Sequence, residues 1–448
     1  MRAWQAAQDG AVVHRNLRRS YKTIIRAEGC TLWDDSSRSY LDAVGGAGVV
    51  TIGHGVQEIS RSLAEHASET SYVYSDAFTN PWQEELAERV MAMSGLSAGG
   101  VYFVSGGSEA NETAIKLARQ YHVERGNPTK HKVIARWQSY HGVTLATLAL
   151  SGRTSWRSIY SPYLMDVAHI VPPYCYRCPF KLTYPDCGVA CADDLERTIL
   201  LEGPDTISAF IAEPVVGTTV TGVTPVPEYY AKIRAICDKY DVLFIADEVL
   251  SGYGRTGLPF ALQHWDVVPD IITMGKGIGS GYAALGAVAI SDRVLEPIRS
   301  GSGALVHGFT YSGLSTACFI GVKVAEYLDR FDLIPRAARL GSYLHTQLEQ
   351  LAASHAAIGD VRGIGLLAGV EFVADRGTRE PFPAQNHLAA QISTRMEERG
   401  VLIRPGVSGS NYGDGGDHIQ ISPPFVITEA EIDRIVDTLG EVLTELVG

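Results

Sequence analysis

Between about residues 100 and 310, short apolar runs alternate with helix-period segments, and that alternation restricts the chain to an α/β fold built on a mostly parallel sheet. The runs are Val101 to Val104, Val133 to Arg136, Ser208 to Ala212, Val242 to Ala246, Ile271 to Met274 and Leu285 to Ile290. Each is short, continuous and bounded by Gly, Pro or charged residues, as buried strands are. After Tyr311 the pattern changes. Leu333, Ala337, Leu340, Leu344, Leu348 and Leu351 share one helical face, and LLAGVEF, VLIR and HIQI follow as strands. The last helix opens on a capping box, Thr428 with Glu431, ahead of Ile432, Ile435, Val436 and Leu439. Strand-like TLWD and SYLDAV near the N-terminus are expected to pack with this part. The predicted organisation is a large domain at 56–310 and a smaller α+β domain at 311–448, joined by an N-terminal segment at 1–55.

Charge and composition narrow the function classes. The 448 residues carry 38 Lys and Arg against 50 Asp and Glu, a formal charge of −12, which argues against nucleic acid or an anionic membrane as partner. Apolar runs such as Val242 to Ala246 fall far short of the roughly 18 residues of a membrane helix, and MRAWQAAQDG has no signal-like apolar stretch. A soluble, cytoplasmic protein is expected. Seven cysteines, an odd number, do not suggest a disulfide framework. Four of them, Cys175, Cys178, Cys187 and Cys191, fall in one Pro- and aromatic-rich segment. Cys175 and Cys178 have zinc-finger spacing, but the second pair and the short loop between do not, so packed thiols rather than metal are expected.

Four polar residues lie just past the ends of separate predicted strands: Tyr140 after VIAR, Glu213 after AFIA, Asp247 after VLFIA and Lys276 after IITM. Parallel strands present those ends on one edge, where open α/β sheets bind ligands. Ser105, Gly106, Gly107 and Ser108 follow VYFV and open a helix, so free backbone N–H groups and a hydroxyl can face a phosphate at the dipole's positive end. An ordinary turn capped by Ser108 is the bland alternative. Neither G-x-x-x-x-G-K-[ST] nor a strand-to-helix G-x-G-x-x-G is present. Lys276 sits among glycines in MGKGIGSGY, where a lowered pKa would let its amine form a Schiff base with an aldehyde. Asp247 can keep a pyridine nitrogen protonated; Tyr140 and Val249 can flank the ring. These parts describe a site for pyridoxal 5′-phosphate.

The motifs FVSGGSEANETAIKLAR, SYHG, AEPVVG, IADEVLSGYGRTG, MGKGIGSGYAALGAV, HGFTYSG and ISPPFVIT, in this order, resemble the class III, or ω-, aminotransferases of pyridoxal-phosphate fold type I. The resemblance implies Lys276 as Schiff-base and proton-transfer lysine, Asp247 at the pyridine nitrogen and Tyr140 and Val249 against the ring. It also implies Gly107 and Ser108 on the phosphate and Glu213 near the cofactor. Thr310 matches a threonine that reaches the partner subunit's phosphate, so a homodimer with shared sites is implied.

Departures bear on substrate. Relatives acting on 4-aminobutyrate, ornithine or acetylornithine usually carry Arg after the His-Gly pair, whereas Val143 stands here. Arg404, in GVLIRPG, matches the mobile arginine of amine:pyruvate transaminases; pairing with Asp414 or Asp417 is the alternative. Gly48 lies about where those enzymes tend to have Trp, which hints at a bulkier donor. The expected reaction moves an amino group from an ω-amino acid or amine to pyruvate or 2-oxoglutarate. A decarboxylase, aminomutase or phospho-lyase with the same cofactor is the nearest rival, and a zinc-bearing binding protein a rival of another class.

Overall fold

The computed structural model describes residues 11–406 and 416–448. Its central element is a seven-stranded sheet in the spatial order Gly99–Val104, Gly286–Ser291, Ile271–Met274, Leu243–Asp247, Ile207–Ala212, Lys132–Arg136, Ala168–Ile170. Gly286–Ser291 is antiparallel to both neighbours, and the pairs from Ile271–Met274 to Ala168–Ile170 are all parallel. Two reversals restore direction, so Gly99–Val104 points the same way as the parallel strands. Its C-terminal end therefore reaches the edge where theirs end.

Burial follows from the layering. Ile207–Ala212 and Leu243–Asp247 are buried at every position, as expected of strands covered by helices on both faces. One covering helix is Gly107–Glu124, which turns Ala110, Ala114, Leu117 and Ala118 inward against the sheet. All six predicted strands are present, Ile271–Met274 with its predicted bounds and the other five shifted by a residue or two at their ends. The edge strand Ala168–Ile170 was not predicted; three residues leave no period to read.

Both ends of the described chain meet in smaller sheets. Ile24–Glu28, Thr31–Asp34 and Ser39–Asp42 form a meander, and Val401–Leu402 pairs parallel with Ser39–Asp42. A second sheet runs Ile358–Ile364, Leu367–Phe372, Asp417–Ile421, Arg404–Pro405. The predicted strand VLIR is thus two short strands serving different sheets, and the break places Arg404 where the chain crosses between them. The helix Leu333–Ser354 buries five of its six predicted apolar positions, with Leu351 partly buried against the core. The capping box is formed: the Glu431 N–H donates to Thr428 Oγ1 at 3.3 Å and the Thr428 N–H to Glu431 Oε2 at 2.8 Å.

Candidate active site

One cavity of about 170 Å³ opens at the C-terminal edge of the seven-stranded sheet. Gly107, Ser108, Tyr140, Glu213, Asp247, Val249 and Lys276, seven residues singled out from sequence, all line it. They come from different strands because parallel pairing brings those strand ends together.

The turn into the helix Gly107–Glu124 is capped by no side chain; its N-cap is Gly106. Ser108 is therefore not the cap, and its Oγ instead accepts from the Val143 N–H at 3.2 Å. The first-turn amides of Gly107 and Ser108 stay available at the dipole's positive end. Side chains are absent here for a steric reason. A Cβ built on Gly107 would lie 2.6 Å from Val249 Cγ1, one on Gly275 3.2 Å from the Gly107 nitrogen, and one on Gly286 2.8 Å from the Gly106 oxygen.

Asp247 ends its strand with 3 % of its side chain exposed. Its Oδ2 accepts from Asn111 Nδ2 at 2.8 Å and faces His141 Nδ1 at 2.7 Å, while Oδ1 accepts from the Val249 N–H at 3.1 Å. Asn111 is fixed in turn: Nδ2 also donates to the His141 carbonyl at 2.8 Å, and Oδ1 accepts from Thr273 Oγ1 at 2.7 Å. A buried carboxylate held by several donors is fixed in orientation. His141 thus supports Asp247, and its Nε2 is buried without a hydrogen-bond partner. Asn111 was missed from sequence. Its signal was a polar residue among Ala110, Ala114 and Leu117 on a buried face.

Lys276 carries a left-handed backbone, φ 45°, a conformation costly for a residue with a side chain and common where function demands it. Burial lowers its ammonium to about 8, against the pull of Asp247 and Glu213, with Arg404 and Arg255 lowering it further. Glu213 is buried and its carboxyl is raised, first by desolvation and then by Asp247, against His141. Its Oε1 accepts from the Tyr140 N–H at 2.9 Å and Oε2 from the Gly217 N–H at 2.8 Å, so it fixes the backbone beneath the Tyr140 ring.

The other predicted residues are placed differently. Gly48, at φ 77°, does not line the cavity itself; a Cβ there would collide with Leu250 Cδ1, and Leu250 does line it. Arg404 is partly buried and its charge is felt at Tyr140 and Lys276. Asp417 turns to another partner, its Oδ1 accepting from the Ala389 N–H at 3.1 Å. Asp414 lies outside the described residues. Thr310 is exposed and away from this cavity, its carbonyl accepting from Tyr72 Oη at 3.1 Å. The four clustered cysteines line a narrow crevice elsewhere, and no group of three or more His, Cys, Asp or Glu among the described residues is placed to hold a metal ion.

The residues fit pyridoxal 5′-phosphate. The side-chain-free cradle at Gly107 and Gly275, the anchored Asp247 and the depressed Lys276 amine are what a phosphate, a pyridinium nitrogen and an aldehyde respectively require. Comparison with known proteins agrees. Residues 12–443 match the family described as aminotransferase class-III. The uncharacterized aminotransferase YodT of Bacillus subtilis (strain 168) is 36% identical over 430 residues, covering 96% of both chains. The diaminobutyrate–2-oxoglutarate transaminase of Halomonas elongata is 35% identical over 423 residues, 93% of this chain and 88% of that one. The solved (S)-enantioselective omega-transaminase of Thermomicrobium roseum superposes with a TM-score of 0.91 at 34% identity, covering 99% of this chain and all of that one.

Proposed function

The chain belongs to the class-III aminotransferases, pyridoxal-phosphate enzymes of fold type I, and from that premise we propose that it moves an amino group from an ω-amino acid or amine to a keto acid, pyruvate or 2-oxoglutarate, with Lys276 as the covalent anchor. The observation that carries this reading is the pairing, in one cavity, of a depressed lysine amine with a carboxylate locked by Asn111 and His141. When bound, pyridoxal 5′-phosphate supplies an aldehyde for the amine and a protonated ring that draws electrons from the donor carbon.

The chain's own residues do the rest. The Gly107 and Ser108 amides hold the phosphate. Asp247, aimed by Asn111 and His141, would keep the ring nitrogen protonated. Tyr140 and Val249 flank the ring. With the cofactor bound, Lys276 Nζ would hold and return the donor-carbon proton, and a pKa near the working pH suits a base that must do both. Arg404 receives the keto acid carboxylate. Gly48 leaves Leu250 room, widening the donor side.

The cofactor-binding domain is residues 56–310, with 311–448 and the N-terminal 55 residues forming the small one. The working unit is a homodimer. In support, Tyr72, whose hydroxyl donates to the Thr310 carbonyl, and Tyr311 next to Thr310 are both exposed and meet edge-on at 6.3 Å. No helix among the described residues is long and apolar enough to cross a membrane, and the cytoplasm is the proposed location. The test is direct. Purified protein supplied with the cofactor should absorb in the visible and form a new amino acid in amount equal to the keto acid consumed. Lys276→Ala should do neither, and turnover by that variant would overturn the assignment.

A further inference from the structure

Arg153 carries a charge that nothing in the described structure neutralises. It stands at the start of the helix Thr154–Tyr160, one aromatic ring removed from the cavity-lining Tyr140. Its Nε and Nη1 are buried with no hydrogen-bond partner. The guanidinium lies 3.6 Å from the centre of the Trp156 ring, and that of Arg15 approaches the same ring at 4.5 Å. Trp156 in turn meets Tyr140 edge-on at 6.1 Å, and Tyr140 lines the cavity with Lys276. Stacking on an aromatic face holds a guanidinium in place while leaving its in-plane donors free.

Arg404 completes the group. Among the described residues, the neighbours whose charge bears on Arg153 are Arg404, Arg15 and Tyr140, and none is a carboxylate. Burial, then the two arginines, lowers the Arg153 guanidinium to about 10. Three like charges gathered without a counter-ion repel, and burying any of them adds desolvation cost. An anionic ligand relieves both. Arg404 alone suffices for the carboxylate next to a keto group, so Arg153 is in excess of what a monocarboxylic acid needs. The position where carboxylate-binding relatives have arginine is Val143, 54% exposed, and Arg153 restores a cation ten residues further on.

Resting on the aminotransferase reading above, we propose that Arg153, stacked on Trp156 and backed by Arg15, is a second anion clamp that selects a dicarboxylic keto acid of the 2-oxoglutarate type over a monocarboxylic one such as pyruvate. Arg404 takes the carboxylate beside the keto carbon, and Arg153 takes the distal one with its unpartnered guanidinium donors.

The experiment compares cofactor-loaded wild type, Arg153→Met, Arg153→Lys and Arg15→Ser. Two quantities are read: the ratio of kcat/KM for 2-oxoglutarate to that for pyruvate with one donor, and binding of the unreactive acids glutarate and propionate by calorimetry. Wild type should bind glutarate at least tenfold more tightly than propionate, the scale of one charge-assisted contact. Arg153→Met should lower the acceptor ratio at least tenfold and erase the glutarate preference, Arg153→Lys should restore part of both, and Arg15→Ser should lower them less. Equal affinity for the two acids in wild type, or an acceptor ratio unmoved by Arg153→Met, would overturn the clamp. Failure of every form to convert any keto acid would instead sink the aminotransferase reading, and the glutarate titration would still decide the clamp by itself.

Discussion

At the scale of single residues, the site depends on groups held in states that water would not favour. Lys276 is the clearest. Its folded pKa, about 8, lies below the ordinary 10.5, so between those values the unfolded chain binds more protons than the folded one. Stability of the cofactor-free protein therefore rises with pH across that window, and the cost of the buried charge is felt in full below it. The amine should also become reactive early: uptake of pyridoxal 5′-phosphate by cofactor-free protein, followed by absorbance, should be half-maximal near pH 8 rather than above 10. Asn111 offers a second test. Asn111→Leu removes one charge-assisted donor from Asp247, worth roughly 1.5–3 kcal/mol, so kcat should fall about 10- to 100-fold with little change in substrate KM. An equal rise in KM would mean that Asn111 merely shapes the pocket. Lys276, Asp247 and Tyr140 were legible in sequence because each follows a readable strand. Asn111 was not, because it sits inside a helix and acts on Asp247 from 136 residues away in sequence.

At the scale of elements, what was legible was whatever had a period. The six buried runs and the apolar stripe of Leu333–Ser354 announced themselves through composition and spacing. Ile24–Glu28 and Ile358–Ile364 did not, since one is largely exposed and the other mixes Gly, Asp and Arg into its middle. Equally invisible was a buried ionic knot. Glu371, fully buried on Leu367–Phe372, accepts from Arg177 Nε at 2.6 Å and Arg362 Nη1 at 2.7 Å and bonds the Tyr174 hydroxyl. It ties the cysteine-bearing segment to the sheet that carries Arg404. Burial pushes the Glu371 carboxyl up, but Arg362, Tyr174 and Arg177 hold it below the ordinary range. That stabilisation is complete above the unfolded value of 4.5 and is lost as pH falls through the folded one. Neutralising Glu371 leaves two buried guanidinium groups with only part of their compensation, Arg362 keeping Asp360 and Arg177 the Arg379 carbonyl. Glu371→Gln should cost about 3–5 kcal/mol, seen as a lower denaturant midpoint at pH 7, with the gap to wild type closing on acidification below pH 4.

At the scale of the whole molecule, Thr310 separates a shared site from a private one. If it serves the partner subunit, Lys276→Ala and Thr310→Arg homodimers should be nearly inactive. Random 1:1 mixtures should regain about a quarter of wild-type activity, because half the dimers are mixed and each carries one intact site. If Thr310 served its own chain, mixing would restore nothing. Sedimentation should report twice 48.4 kDa. Sequence could place Thr310 only through the family resemblance, because the contact it implies lies outside the single chain.

The glycines at 107, 275 and 286 have a reach beyond packing. Gly107 faces the cavity, and Gly275 and Gly286 pack against the backbone of Gly107 and Gly106 behind it, a packing that leaves no room for added side chains. The rim that Leu250 and Thr218 add to the cavity is side chain. Heritable variation can therefore reshape what the enzyme accepts while leaving untouched the grip on its coenzyme, and a laboratory library confined to that far rim should yield altered appetites at low risk of an empty protein.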